Sequence, residues 1–518
     1  MKKTVETKRD FGNGIKLAVF SVISILAQVL WIYIFIEDMG HRFPWISLLI
    51  TVLSALLVLL IYNDRITASV KMPWIILILT FPVLGTFLLL LVGFNRNLRF
   101  KRKQYSQVDE ELVNLIKYDI RAFEQAEEIN ASAKGLVEYV HRYSGFVPYV
   151  DTDIEYYNDA LKGFEAQLKD LKEAKDFIFM EYHAIEDAKA FGMILDILKE
   201  KAAQGVEVRL FYDYVGSMGF IGNSFVKELE NYGINARVFN PAVPFVNLFL
   251  NNRDHRKITV IDGKIGFTGG YNLADEYFHF TEPFGNWLDT GVRLEGNGVK
   301  SLTMIFLENW NAMSREHRSD ADFIKYFPKI DYKSIQNPVV IPYADNPMSN
   351  ERLCENIYMQ MLRSAKKYCY FITPYLIITD EMKNAFSLAA KSGVDVRIIT
   401  PGIPDKKLIY NVTRSYYENL ILDGVRIFEY TPGFCHAKQC IFDDQVAICG
   451  TSNLDYRSLY HHFENGVIYY NCKAVADTKQ MFDDTFAECR EVTEEYKNVN
   501  ALKDHFLWLI LRLAAPLM

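Results

Sequence analysis

Hydrophobic positions are unevenly spread along this chain. Three uncharged apolar runs, 17–36, 43–63 and 72–95, crowd its beginning. Each is long enough to cross about 30 Å of hydrocarbon at about 1.5 Å per residue. Trp31, Trp45, Trp74, Tyr33 and Tyr62 lie within or at the edges of these runs, and the edge positions suit a water–lipid interface. The pattern predicts transmembrane helices over 1–104, the first of which could instead be a signal-anchor. Lys2, Lys3, Lys8, Arg9 and Lys16 precede or open the set, and Arg96, Arg99, Lys101, Arg102 and Lys103 follow it. Three spans put these clusters on opposite faces, so the positive-inside rule decides nothing unless one run is re-entrant.

Beyond the apolar region the periodicity changes. Residues 105–150 show three- and four-residue spacing and read as a helical connector. From there the chain repeats itself. An apolar strand at 177–182, a helical stretch to 203 and a strand at 205–212 are matched by 368–373, a helix to 391 and 393–400. Residues 233–239 match 424–428. Strand, helix, strand, repeated, predicts two pseudo-symmetric α/β halves, 151–332 and 333–497, with mainly parallel sheets covered by helices. Matched glycines are offset by 188 (Gly205, Gly393) and 191 (Gly233, Gly424), and the next motif by 181 (His255, His436). The first half therefore carries about ten extra residues in the apolar stretch 241–251, either a buried loop or a wall that receives acyl chains. The tail 498–518 is too short to span and is assigned as an interfacial helix with Trp508 and Arg512 at headgroup depth; packing against the second half is the alternative.

The chain carries a net charge of -7 and a pI near 5.9. A protein that grips a polyanion usually presents a basic surface, so nucleic acid is not the expected partner. The seven cysteines all lie in the C-terminal third and none forms a Cys-x-x-Cys pair, which argues against a zinc site. Unpaired thiols suit a reducing compartment and place the second basic cluster and the catalytic halves on the cytoplasmic face.

Each half contains His-x-Lys-x-x-x-x-Asp followed by a small-residue turn and an asparagine. The first copy is His255, Lys257 and Asp262, then Gly269 to Asn272; the second is His436, Lys438 and Asp443, then Gly450 to Asn453. Alternation on a strand points His and Lys to one face. The glycine turn offers backbone amides to an anion, and Asn272 and Asn453 add amide donors. Two copies in register supply two imidazoles, two ammonium groups for phosphate and further donors, which is a set for displacement at phosphorus without a metal or cofactor. A non-catalytic lipid-binding scaffold would not need both motifs intact.

These paired motifs resemble the phospholipase D superfamily. The stretches 251–262, 269–277 and 450–459 are more narrowly similar to bacterial cardiolipin synthases, as is Pro82 to Gly85 in the membrane region. The resemblance runs from about residue 44 to the end, and the first apolar run looks like an addition to a two-span plan. Gly269-Gly270 replaces the more usual Gly-Ser, and His462 stands where the family more often has Asn.

The resemblance implies a multi-pass enzyme of the cell membrane, with phosphatidylglycerol, cardiolipin and the bilayer as partners and a homo-oligomer as an open question. One histidine would attack phosphatidylglycerol and become a phosphatidyl-histidine. The other would protonate the leaving glycerol, then deprotonate a second phosphatidylglycerol. By analogy His255 is the nucleophile and His436 the acid/base, with the reverse nearly as well supported. Phospholipid hydrolysis, or transfer to another alcohol such as serine, uses the same chemistry. Asp289 and Glu464 stand where the superfamily places carboxylates that orient the rings. Asp262 and Asp443 belong to the motif but read as structural ion-pair partners. His41, His141, His183, His279, His317 and His505 read as surface or capping residues, whereas one of His461 and His462 is a candidate for the cleft wall.

Overall fold

The structure, a computed structural model, describes residues 44–64, 67–82, 84–86, 96–222, 224–241, 252–312 and 320–497, with isolated positions 30, 89, 506, 508, 511, 512 and 515. The first apolar run apart from Leu30, the basic residues before it and the extra stretch from 242 to 251 lie outside this set. The chain divides into two compact units, Met1–Arg99 with Leu513–Met518, and Phe100–Arg512.

In the first unit the middle apolar run forms the helix Pro44–Asn63, twenty residues without a charged side chain. A second helix, Ala68–Thr80, begins the third run. Ser54 is buried, and its hydroxyl lies 3.3 Å from that of Thr86, so the chain after the second helix returns against the first. Side chains at 44, 46 and 47 fall outside the described set, and among the described residues no helix is long and apolar enough to cross a membrane.

The helix Arg96–Val113 runs across the division at Phe100 into the second unit, and helices Ile120–Ile129 and Ala131–Ser144 follow, over the stretch expected to be a helical connector. Asp119 and Asn130 cap the latter two by accepting from Arg121 and Ala133 backbone N–H groups. The strands that follow are β1 (Thr152–Tyr157), β2 (Phe177–Tyr182), β3 (Glu207–Asp213), β4 (Asn235–Phe239), β5 (Arg253–Asp254), β6 (Lys257–Ile261), β7 (Ile265–Gly269), β8 (Asn286–Leu288) and β9 (Gly291–Gly296). The second half supplies β10 (Val339–Asp345), β11 (Tyr368–Ile372), β12 (Leu376–Ile377), β13 (Asp395–Pro401), β14 (Arg426–Tyr430), β15 (Gly433–Cys435), β16 (Gln439–Phe442), β17 (Val446–Gly450), β18 (Leu454–Asp455), β19 (His462–Tyr470) and β20 (Cys489–Glu491).

Two large sheets result, ordered β1-β9-β7-β6-β2-β3-β4 and β10-β19-β17-β16-β11-β13-β14-β20. The expectation of mainly parallel sheets is corrected. Along the main paths of the two sheets only β2-β3-β4 and β11-β13-β14 pair in parallel, joined by the short parallel pairs β5-β19, β8-β15 and β12-β18. The strands that carry the motifs, β6 and β16, are antiparallel to both neighbours. Parallel neighbours need a long crossover, which the helices Lys189–Ala203 and Asp380–Lys391 provide. The motif strands are joined to the next strand by tight turns, and these allow only antiparallel pairing.

Helices Ala160–Lys172 and Lys189–Ala203 cover one face of the first sheet, packing Phe164, Phe191, Ile194 and Leu198 on Ile178 and Leu210. The helix Val299–Ala312 is buried almost from end to end and touches both β6 and β10. The halves also meet through side chains: Asn465 donates to Thr268 at 2.7 Å, and Gln439 Oε1 accepts from both Thr290 and Tyr156 at 2.9 Å. One core thus serves both motifs.

Two further expectations change. Trp508 is buried and stacks on Tyr496 (6.4 Å between ring centres), while the Arg512 guanidinium lies 4.6 Å from the centre of Tyr416. These aromatic partners draw both side chains onto the second half, the alternative packing for the tail. Among the described residues, Asp262 and Asp443 also sit in no ion pair. Asp262 accepts from the backbone N–H groups of Lys175, Asp176 and Phe177 at 2.7–2.9 Å. Asp443 does the same for Lys366, Lys367 and Tyr368. Each therefore secures the start of the strand beside its own motif strand. Each also has positive φ, 52° and 53°, in the turn leaving the motif strand, a conformation that Asp tolerates better than most residues.

Asp262→Ala should destabilise the catalytic unit by about 2–4 kcal/mol, since three N–H groups lose an anionic acceptor. Asp262→Asn, which keeps the turn conformation, should cost less. Thermal unfolding of the full chain in detergent measures both, and unchanged midpoints would contradict the assignment.

Candidate active site

Each motif histidine is mounted on strands of the opposite half. The two-residue β5 pairs in parallel with β19, Arg253 facing His462 and Asp254 facing Phe463. The next residue, His255, donates its backbone N–H to Phe463 at 2.9 Å. In mirror fashion β15 pairs with β8, and the His436 N–H donates to Leu288 at 2.8 Å.

The side chains repeat this crossing. His255 Nδ1 lies 3.0 Å from both Glu464 oxygens, and His436 Nδ1 lies 2.7 Å from Asp289 Oδ2. Both carboxylates are fully buried. Burial alone would raise the Glu464 pKa, but the His255 and His462 rings hold it well below the usual carboxylate range. Burial pushes the His255 pKa well below that of a free imidazole, against the pull of Glu464. Burial, then Lys438, lowers His436 to about 4. A neutral ring donating Nδ1–H to a carboxylate keeps its Nε2 lone pair for chemistry.

Lys257 and Lys438 are each 1% exposed. Burial lowers them to about 7 and about 8 respectively. Lys257 Nζ donates to the His255 carbonyl at 2.5 Å, while Lys438 Nζ lies 3.0 Å from His436 Nε2. Lys257 feels Glu464, Lys438 and Asp289, and His436 feels Lys257. The two motifs thus share one electrostatic locus. A phosphodiester entering it would restore the charge that burial weakens on both ammonium groups.

The motif glycines serve a different purpose from anion binding by their amides. The Gly270 N–H is spent on Thr290 O at 3.0 Å. A side chain there would put Cβ 2.0 Å from Asp289 Oδ1, so Gly270 makes room for the carboxylate that holds His436. At the equivalent place in the second half, Thr451 donates its hydroxyl to Glu464. Asn272 donates to the Tyr277 hydroxyl at 2.8 Å and accepts from the Ala184 N–H, and the Tyr277 ring packs 5.2 Å from His436. Asn453 donates to Asp455 at 3.1 Å, and its own oxygen is buried without a partner. Asn272 and Asn453 thus hold neighbouring walls and keep one amide hydrogen each for a ligand. Asp262 and Asp443 lie at the far end of the motif strands, five residues or about 16 Å from Lys257 and Lys438, and do not join the locus.

Two imidazoles join it besides the motif pair. His183, expected at the surface, has its ring 4.9 Å from that of His255 and its Nδ1 2.6 Å from the Asp254 carbonyl. Burial, then His255, holds it well below its usual pKa. It follows β2 immediately, and ligands gather beyond the carboxyl ends of parallel strands; that position was the available signal. His462 lies 5.4 Å from His255 on the other side. His255, His462 and Glu464 each offer one donor atom within 4.8 Å of the others, the one group among the described residues with metal-ligand spacing.

Residue His436 makes the locus sensitive to acid. Its pKa is depressed from about 6.5 to about 4, so the unfolded chain binds the proton more tightly. Stability should be complete above pH 6.5 and fall as the pH drops toward 4, by on the order of 3 kcal/mol from this group. His436→Asn should flatten that part of the profile, read as the unfolding midpoint of the full chain against pH. An identical slope in the variant would contradict the account.

Comparison with known proteins agrees with this geometry. A family described as "Cardiolipin synthase, PLD-like domain" matches residues 168–283 and 358–486, which together hold both motifs and Glu464 but not Asp289. An uncharacterized protein of Streptococcus mutans is 40% identical over 89% of this chain and 99% of its own. Cardiolipin synthase 1 of Staphylococcus aureus (strain MRSA252) is 31% identical over 93% of this chain and 99% of its own. Among solved structures, phosphatidylserine synthase of Haemophilus influenzae Rd KW20 shares the fold, with a TM-score of 0.55 at 15% identity over 70% of this chain and 95% of that one. Two crossed His–carboxylate pairs on a duplicated α/β scaffold, together with these relatives, place the chain in the cardiolipin synthase family of phospholipase D-like proteins.

Proposed function

We propose that this protein is a membrane-associated cardiolipin synthase that transfers a phosphatidyl group from one phosphatidylglycerol to another. The observation that carries the reading is the crossed pair: each imidazole is backed at Nδ1 by a buried carboxylate from the opposite half. His255 Nε2 attacks phosphorus, the P–O bond to glycerol breaks, and the leaving oxygen takes a proton from His436. The terminal hydroxyl of a second phosphatidylglycerol then gives its proton to His436 as its oxygen attacks. The P–N bond breaks, His255 is restored, and cardiolipin and glycerol leave.

His436 must hold a proton for the first step, although burial favours its neutral form. The phosphodiester's negative charge supplies the compensation by raising proton affinity at the ring beside it. Lys257 and Lys438 balance charge on the non-bridging oxygens, and Asn272 and Asn453 contribute amide hydrogens. Asp289 and Glu464 fix the reacting tautomers and steady the imidazolium as it forms, as the carboxylate does in other His–carboxylate pairs. For the membrane, the support is the charge-free helix Pro44–Asn63 and the apolar runs on either side of it. All seven cysteines are free, which favours placing the catalytic halves on the reducing, cytoplasmic face.

Purified protein given phosphatidylglycerol alone should release cardiolipin and glycerol in equal amounts. Phosphatidic acid as the main product would make it a hydrolase instead. His255→Ala and His436→Ala should abolish product while folding persists, and near-normal turnover in either would refute the assignment.

The orienting pair yields a graded effect. Glu464→Gln should lower kcat by about 10²–10⁴-fold with a much smaller change in KM. A KM effect alone would assign Glu464 to substrate binding.

A further inference from the structure

The ring of His462 has no hydrogen-bonding role among the described residues. Its side chain is 9% exposed, and both ring nitrogens are buried without a hydrogen-bond partner. Burying polar atoms without a hydrogen-bond partner is costly, so such a ring calls for an explanation. Its Nδ1 faces Glu464 Oε1 at 3.6 Å, too far for a hydrogen bond. The same oxygen lies 3.0 Å from His255 Nδ1. Donor atoms around a tetrahedral zinc, each about 2.0–2.1 Å from it, stand about 3.3–3.4 Å apart. The two measured edges straddle that spacing, and the third donor pair also falls within 4.8 Å.

We propose that His255, His462 and Glu464 bind a zinc-like transition dication and that its occupation switches the enzyme off. Two imidazoles and one carboxylate form a borderline donor set that suits zinc or cobalt over magnesium or calcium. Lys257 and Lys438 oppose any cation, which further selects for metals that gain from nitrogen donation. Neutral His255 carries its proton on Nδ1 when it faces Glu464. A metal at Nδ1 takes that lone pair, the proton moves to Nε2, and the Glu464 hydrogen bond becomes a Glu464–metal bond. Nε2 then has no lone pair to attack phosphorus. No redox step and no further reactant are required.

The switch rests on the phosphatidyl-transfer reading, whereas metal binding does not, and the test separates them. Full-length enzyme in detergent is titrated with Zn2+ during turnover and, separately, with Co2+ while visible absorption is recorded. Zn2+ should inhibit reversibly on chelation, and Mg2+ or Ca2+ at equal concentration should not. His462→Asn should raise the half-inhibitory Zn2+ concentration by about tenfold or more, because losing even an outer partner of a metal ligand costs 10–100-fold. The visible Co2+ bands should disappear in that variant and in His462→Gln, whereas cobalt held by cysteine thiols would remain in both. Unchanged Co2+ bands in both variants would overturn the site. Co2+ bound through His462 with no Zn2+ inhibition of an active enzyme would overturn the switch. If the protein proves unable to transfer phosphatidyl groups, the cobalt spectra still decide the site.

Discussion

Everything at the active centre depends on each imidazole being held by the other half of the molecule. The His255 backbone hangs on β19 and its ring on Glu464, while the His436 backbone hangs on β15's partner β8 and its ring on Asp289. Neither half alone has a complete His–carboxylate unit. Lysines and carboxylates are buried together here, and stripping one partner from such an arrangement typically costs about 3–5 kcal/mol because an unpaired charge stays behind. The chemistry therefore exists only when the halves are docked. Their shared helix, Val299–Ala312, and the Asn465–Thr268 contact keep the docking from being optional.

Duplication did not leave the halves equivalent. The shorter Asp289 reaches His436 only because Gly270 leaves space, whereas the longer Glu464 is gripped by the Thr451 hydroxyl. His255 alone is flanked by two further imidazoles. Beside it Arg256, fully buried, donates to the Ile305 and Glu464 carbonyls and lies among Glu181, Asp254 and Glu308, a set that Ala437 replaces in the second half. Burial raises the pKa of each of these three carboxyls. One guanidinium among three acids therefore favours retained protons over three full charges. This anchoring is heavier on the His255 side than on the His436 side.

What the sequence made legible was whatever repeats. The motif copies and the matched strand–helix–strand segments follow from register, and the places of Asp289 and Glu464 from the family resemblance. The crossing could not be read, because a linear repeat does not say which carboxylate faces which ring. Sheet direction was misjudged because short turns after Asp262 and Asp443 weigh more than the crossover helices that precede the motifs. Those two aspartates looked like charge partners because a conserved-looking spacing carries no record of distance; about 16 Å of strand separates them from the lysines. His183 read as a surface or capping residue since nothing in the second half matches it: Pro374 stands at the corresponding place.

The same asymmetry explains how an acidic protein can host an anionic reaction. A net charge of -7 would repel phospholipid headgroups if it governed the site. Field strength inside a low-dielectric pocket depends on nearby groups far more than on distant surface charge. Lys257 and Lys438 are desolvated, and burial lowers the pKa of both before substrate arrives. Binding of a phosphodiester and uptake of protons on the lysines and His436 are therefore linked, each favouring the other. A phosphodiester in the site thus favours the charged forms of these groups that burial disfavours, where phosphoryl chemistry draws on them.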